Sequence, residues 1–315
     1  MDHYVSYNFC FLKNLIEEIK GLEEMKYLLL VFVFLSFGCS KKEFVEGKYF
    51  AGGKYVSAKT LNKGKLIYTE YCMPCHGVKG DGKGVAAKGM QVPPRNFTTG
   101  IFKFGRVLSG ELPHDKHFKE ILTKGLNGTA MLPWDMEDGA MEAVIQYIKT
   151  FAPEVWEGKD KELGAEINPS KDPFGLAHKS AAIKKGKEIY HMVANCQSCH
   201  RAYATKQELN AWAPKYDEDP TPMDEFDEDM YKIKRQETEW GFQNVPPEFT
   251  WNNVRSARTV PELYVRLAAG VGGTSMPAWK ETLSDEEIWA VAYYVKSLME
   301  LKDRPEREIL MSELK

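Results

Sequence analysis

Two copies of one short pattern constrain this chain more than anything else in it: Cys72-Met-Pro-Cys75-His76 and Cys196-Gln-Ser-Cys199-His200. A Cys-x-x-Cys pair followed directly by His reads as covalent attachment of a c-type haem. The two thiols reach the two vinyl groups, and the next residue coordinates the iron. A zinc site or a redox dithiol accounts for the thiols but not for the adjacent His in both copies. The reading therefore gives two haem c groups, held by Cys72 and Cys75 and by Cys196 and Cys199, with His76 and His200 as proximal iron ligands. With 315 residues there is room for two domains, each with its own core.

The pattern belongs to a longer internal repeat. Gly64-Lys-Leu-Ile-Tyr68 precedes the first motif and Gly186-Lys-Glu-Ile-Tyr190 the second. Val92-Pro-Pro-Arg-Asn-Phe-Thr98 matches Val245-Pro-Pro-Glu-Phe-Thr250. Gly125-Leu-Asn-Gly-Thr-Ala-Met131 matches Gly270-Val-Gly-Gly-Thr-Ser-Met276. Ala143-Val-Ile-Gln-Tyr-Ile-Lys-Thr150 matches Ala290-Val-Ala-Tyr-Tyr-Val-Lys-Ser297. The order is the same in both halves, so each half is one copy of a single unit.

The units read as helical. Ser284, followed by Asp285, Glu286 and Glu287, is a capping box that starts a helix. Ile288, Val291, Ala292, Val295 and Leu298 then form one apolar stripe, and Met141, Val144, Ile145 and Ile148 repeat it in the first half. Pro153 stops that earlier helix. The runs 58–72 and 180–196, leading into the motifs, are helical too, and the Gly- and Pro-rich stretch 77–116 is mostly loop. Gly80-Asp-Gly-Lys-Gly84 is similar to a phosphate cradle, but it follows a haem motif rather than a strand, so it reads as a loop beside the haem.

Met131 and Met276 occupy matching places in Gly-x-x-Gly-Thr-x-Met loops ahead of the last helix of each unit. A lone Met is ordinarily core. Two at matching places are candidates for the sixth iron ligand, where a thioether raises the reduction potential. Met136 is the rival in the first half. Pro93, Pro94, Pro246 and Pro247 are either plain turn residues or the source of the backbone carbonyls that hold each proximal His ring. Trp134 and Trp279, shortly after each Met, either flank a haem edge or pack in a core.

On these residues each half resembles a class I cytochrome c domain, over about 58–152 and 180–303. The resemblance implies an all-α fold, two tandem small helical domains each around one covalently bound haem c. It implies that Gly64 and Tyr68 cross against Tyr147, and Gly186 and Tyr190 against Tyr294. The Met-Pro of that family is intact at Met276-Pro277, whereas the first half reads Met131-Leu132-Pro133. Arg201 stands where the family usually has Gly. The whole resembles the two-haem, membrane-associated cytochromes c of bacterial respiratory chains.

Residues 25–38 read as a lipoprotein signal peptide: Met25-Lys26, a 12-residue apolar run and Leu35-Ser36-Phe37-Gly38 before Cys39. The run is too short to span a bilayer. Cys39 is the expected lipidation site, with an uncleaved short anchor as the alternative. Residues 1–24 carry an acidic excess ahead of that start and read as an upstream extension outside the native protein. A tether at 39–57, a linker at 153–179 and a tail at 304–315 complete the expected organisation. The second domain holds an insert, 203–240. Within it Asp217–Asp229 carries acidic residues and no basic one, either a solvated loop or a docking surface for a basic partner.

Lys and Arg number 42 against 45 Asp and Glu, a net charge of −3 that excludes a strongly basic nucleic-acid binder. The expected function is electron carriage between respiratory-chain proteins on the periplasmic side of the membrane, with both irons His/Met ligated. The alternative is a two-haem cytochrome c peroxidase, which needs one open iron and an acid–base group from among His114, His117, His178 and His191.

Overall fold

The first helix, α1 (Ala58–Ile67), starts where the Ser57 hydroxyl accepts the Thr60 backbone N–H at 3.2 Å. It runs through a π-turn at Tyr68–Cys72 into the short helix Met73–His76, so the first Cys-x-x-Cys-His motif is itself helical. After a long loop come α2 (Asp115–Lys124) and α3 (Asp138–Lys149). This is a computed structural model, and it describes residues 44–217 and 228–314. The stretches expected to be an upstream extension and a signal peptide, Cys39 and most of the acidic run lie outside the described residues.

The second half repeats the order. Helix α4 (Lys179–Glu188) passes through a π-turn at Ile189–Val193 to the second motif. Then follow α5 (Lys206–Tyr216), α6 (Val260–Ala269), α7 (Asp285–Met299) and α8 (Pro305–Glu313). Capping boxes at Thr205/Glu208, Thr259/Glu262 and Ser284/Glu287 start α5, α6 and α7, which fixes where each helix begins.

In the first half α1 crosses α3, and in the second α4 crosses α7 in the same way. A Cβ at Gly64 would overlap the Ala143 carbonyl, and one at Gly186 the Ala290 carbonyl. Glycine lets the backbones meet there. Tyr68 then packs on Tyr147 with ring centroids 5.3 Å apart, and Tyr190 on Tyr294 at 5.5 Å. The two apolar stripes are buried as their spacing implies. In α7, Trp289, Tyr293 and Tyr294 are buried as well.

Three stretches expected as connections are built into the fold. Residues 48–56, inside the expected tether, form an antiparallel hairpin of β1 (Lys48–Phe50) and β2 (Lys54–Val56). Its Phe50 is fully buried, and Gly158 N–H donates to the Tyr49 carbonyl at 2.9 Å. The expected linker covers the far side of α7: Trp289 Nε1–H donates to Ser170 Oγ at 3.1 Å, and the Tyr293 hydroxyl to Asp172. The expected tail is α8, which buries Met311. The described residues from Glu46 onward thus form one compact unit.

The halves also bond directly. Gly272 N–H donates to the Lys103 carbonyl and Asn127 N–H to the Arg255 carbonyl, each at 3.2 Å. The buried Arg266 guanidinium reaches the carbonyls of Lys103, Gly105 and Gly270 through one nitrogen. Among the described residues no helix is long and apolar enough to cross a membrane.

Candidate functional site

The His of each Cys-x-x-Cys-His motif is held the same way. His76 Nδ1–H donates to the Arg95 carbonyl at 3.0 Å, and His200 Nδ1–H to the Pro247 carbonyl at 3.2 Å. That fixes the ring and leaves Nε2 unbonded for a metal. The His76 ring stacks on Phe97 at 4.5 Å and 20°, and His200 on Phe249 at 4.8 Å and 21°. Burial pushes both imidazoles below the usual histidine range, His200 to about 4. A neutral imidazole is the form that ligates iron.

The accepting carbonyls differ in part from expectation. Pro247 serves the second half, but in the first half the acceptor is Arg95, not Pro93 or Pro94. Counted back from the stacking Phe, both are the residue two before it. The first half has one more residue between its Pro pair and that Phe, which moves the role off the proline. Phe97 and Phe249 themselves were not singled out from sequence, although both stand in the repeated Pro-Pro segment.

The cysteines of each motif are partly buried and unpaired. Burial pushes the thiols of Cys72 and Cys196 up to about 12, which disfavours a redox thiolate at either. The backbone around the first motif is wrapped by its loop. Gly82 N–H donates to the His76 carbonyl at 2.9 Å and Gly84 N–H to the Cys75 carbonyl at 3.1 Å. Those amides are committed to the turn, so the Gly80–Gly84 segment cradles no phosphate. The Tyr68 hydroxyl donates to the Gly77 carbonyl at 2.7 Å and the Tyr190 hydroxyl to that of Arg201 at 2.9 Å. Both close the residue after the motif onto the first helix.

The Met loops share one bonding pattern. Gly125 and Gly270, at φ 63° and 74°, end α2 and α6. Leu126 N–H donates to the Met131 carbonyl at 2.8 Å, and Val271 N–H to that of Met276 at 3.2 Å. Thr129 Oγ1 donates to the Leu126 carbonyl and accepts the Met131 N–H, and Thr274 does the same for Val271 and Met276. Trp134 and Trp279 each donate their backbone N–H back to the preceding helix, to the Leu122 and Leu267 carbonyls. Met131 and Met276 are therefore equivalent positions, and Met136 lies beyond this bonded loop.

In the second half these groups surround one cavity of about 870 Å³. Cys196, Cys199, His200, Met276 and Trp279 all line it. Lys103, Phe104, Asn127 and Gly128 of the first half complete its wall. A large, mainly apolar cavity flanked by two thiols, an imidazole with a free Nε2 and a thioether fits a covalently held haem.

Three of the four histidines considered as acid–base groups are engaged elsewhere. Buried His191 donates from Nδ1 to the Lys187 carbonyl at 2.7 Å and accepts the Tyr203 N–H on Nε2 at 3.0 Å. His117 accepts the Arg106 N–H and donates to Glu166, each at 3.3 Å. His114 bonds the Gly164 carbonyl at 2.9 Å. His178 is exposed at the start of α4.

Two crossed-helix units, each presenting a Cys-x-x-Cys-His turn and a Met-bearing loop, define a helical electron-transfer protein with covalently bound haem c. Comparison with known families agrees. The model described as Cytochrome c matches residues 183–299, and the model described as Cytochrome C oxidase, cbb3-type, subunit III matches residues 59–148. Among solved structures, the chain is similar to one from the Kuenenia stuttgartiensis reducing HAO-like protein complex Kustc0457/Kustc0458. That likeness has 28% identity and a TM-score of 0.58, over 75% of this chain and 95% of the other. No curated protein matches the chain. The chain is a multi-haem cytochrome c, built from two class I cytochrome c domains in tandem.

Proposed function

We propose that this cytochrome carries electrons between redox proteins through two haems, without turning over a substrate. Cys72 and Cys75 hold one haem and Cys196 and Cys199 the other. His76 and Met131 ligate the first iron, His200 and Met276 the second. The observation that carries this reading is the shared bonding of the two Met loops. If both irons are closed by a thioether, neither has a position open to peroxide. The commitment of His117 and His191 to structural hydrogen bonds supports a carrier over a peroxidase.

The setting follows from the same reading. Export, lipidation at Cys39 and residence on the periplasmic side of the membrane are proposed from the sequence of residues 25–39. The names of the similar proteins, an oxidase subunit and a two-protein complex, support partnership with other redox proteins. Cys39→Ser should release the protein from membranes, and retention after a salt wash would favour an uncleaved anchor.

Ligation is tested by Met131→His and Met276→His. Each should lower one midpoint potential and remove the weak sulfur-to-iron absorption of one haem. If Met131→His changes neither haem, Met136 or a histidine is the ligand.

A further inference from the structure

The residue just before each stacking Phe is where the two matching sites differ in charge. It is Asn96 in the first half and Glu248 in the second. Both bond to the Thr two residues on. Asn96 Oδ1 accepts the Thr98 hydroxyl at 2.7 Å, and the Glu248 carboxylate accepts that of Thr250 at 2.8 and 3.0 Å. Asn96 is neutral and half-buried, whereas Glu248 is a carboxylate only 5% exposed.

The bonds around Glu248 hold it as an anion. The Tyr203 hydroxyl accepts the Phe249 N–H at 2.8 Å and donates to Glu248 Oε1 at 2.9 Å. The Thr250 hydroxyl accepts the Arg307 Nε–H at 3.1 Å and donates to the carboxylate as well. Each hydroxyl takes an N–H and passes its own proton to Glu248, so the carboxylate only accepts, as its ionised form does. Burial, with the Glu248 charge beside it, holds the Tyr203 phenol well above its usual range, which keeps it a donor. Among the described residues no cation pairs with Glu248, and Arg307 pairs with Glu308 instead. A buried charge without an ion-pair partner is weakly screened, so its field reaches its surroundings.

This anion stands next to the second haem site. Its two neighbours in the chain both hold His200: the Pro247 carbonyl accepts the Nδ1–H, and the Phe249 ring stacks on the imidazole. Pro247 and Phe249 line the cavity, and Glu248 is outside its lining. We propose that Glu248 is a fixed anion that acts through the turn holding His200 to lower the reduction potential of the second haem, a charge the first half lacks at Asn96. This rests on the two-haem reading above.

Reduction removes one positive charge from the iron, so a nearby anion favours the oxidised state. Haem stoichiometry is measured first, so that a count of one overturns the two-haem reading and is not mistaken for a missing shift. In spectroelectrochemical titration, Glu248→Gln should then favour reduction of one haem by up to about tenfold, about 59 mV for a one-electron couple, and leave the other unchanged. Asn96→Asp should move the other haem in the opposite direction, by a smaller factor because water reaches that site. Glu248→Asp keeps the charge and should stay near the wild-type values. Glu313→Gln, which removes the same charge from an exposed site, should move neither. The sulfur-to-iron absorption should persist in Glu248→Gln, which separates a lost charge from a loosened turn. If Glu248→Gln fails to take up haem, Asn96→Asp decides alone, a lowered potential at one haem supporting the proposal and unmoved potentials overturning it. Both haems moving together in Glu248→Gln, an equal shift in Glu248→Asp or Glu313→Gln, or a shift that comes with loss of the absorption would also overturn it.

Discussion

At Gly64 the backbone of α1 rests on the Ala143 carbonyl of α3, and at Gly186 that of α4 rests on the Ala290 carbonyl of α7. No side chain fits between them, so the helices must part if one is added. Gly64→Ala and Gly186→Ala should each cost about 1–3 kcal/mol in denaturant unfolding, and a neutral effect would mean that the crossing is looser than described. His191 gives a pH dependence of known sign. Burial, the dominant cause, lowers it to about 4 in the folded state, against about 6.5 unfolded. Between those values the unfolded chain binds the proton and the folded one does not, so stability falls as pH falls. The contribution is at most about 1.4 kcal/mol per pH unit, and it should vanish in His191→Asn; an unchanged slope would contradict it. The glycine crossings were expected from the resemblance to class I cytochrome c domains, on residues that the repeat presents twice. The carbonyl behind His76 was not, because one extra residue in the first half moves that role from Pro94 to Arg95.

Among the elements, the Met loops are set by a glycine that ends a helix and a threonine that bonds on both sides. Thr274 Oγ1 donates to the Val271 carbonyl at 2.7 Å and accepts the Met276 N–H at 3.3 Å. Thr274→Val keeps the shape and removes both bonds, and a bond to a backbone group is worth about 1 kcal/mol. The variant should weaken the sulfur-to-iron absorption of one haem and leave the other intact, with Thr129→Val doing the reverse. Absorption unchanged in both variants would show that the loop does not position the thioether. The repeated loops, the capping box at Ser284 and the helix stripes were visible in the chain, since each is a local pattern. The hairpin of β1 and β2 was not. Its strands are only three residues each, and Phe50 is buried because of residues about a hundred positions away, around Trp156 and Glu157.

Across the whole molecule, the two halves are joined through side chains that no local pattern marks. Arg266 sits in α6 as one more residue of an amphipathic helix, yet its guanidinium binds two carbonyls of the first half. Arg266→Ala leaves those carbonyls without the donor and opens space behind them. It should destabilise the protein by about 2–4 kcal/mol, and Soret and far-ultraviolet signals should both record the loss. A change confined to the second half's haem signal would show that the halves are energetically separate. The wall that Lys103, Phe104 and Asn127 lend to the second cavity was likewise invisible in sequence, because it depends on how the halves meet.

The central claim is that both irons are closed by a histidine and a methionine. Near-infrared magnetic circular dichroism of the fully oxidised protein, with haem counted on the same sample, reads the axial ligands of each ferric haem directly. The account predicts two haems per chain, both low-spin, each with the charge-transfer signature of His/Met ligation. A high-spin haem, a bis-histidine signature at either site, or a single haem per chain would contradict it.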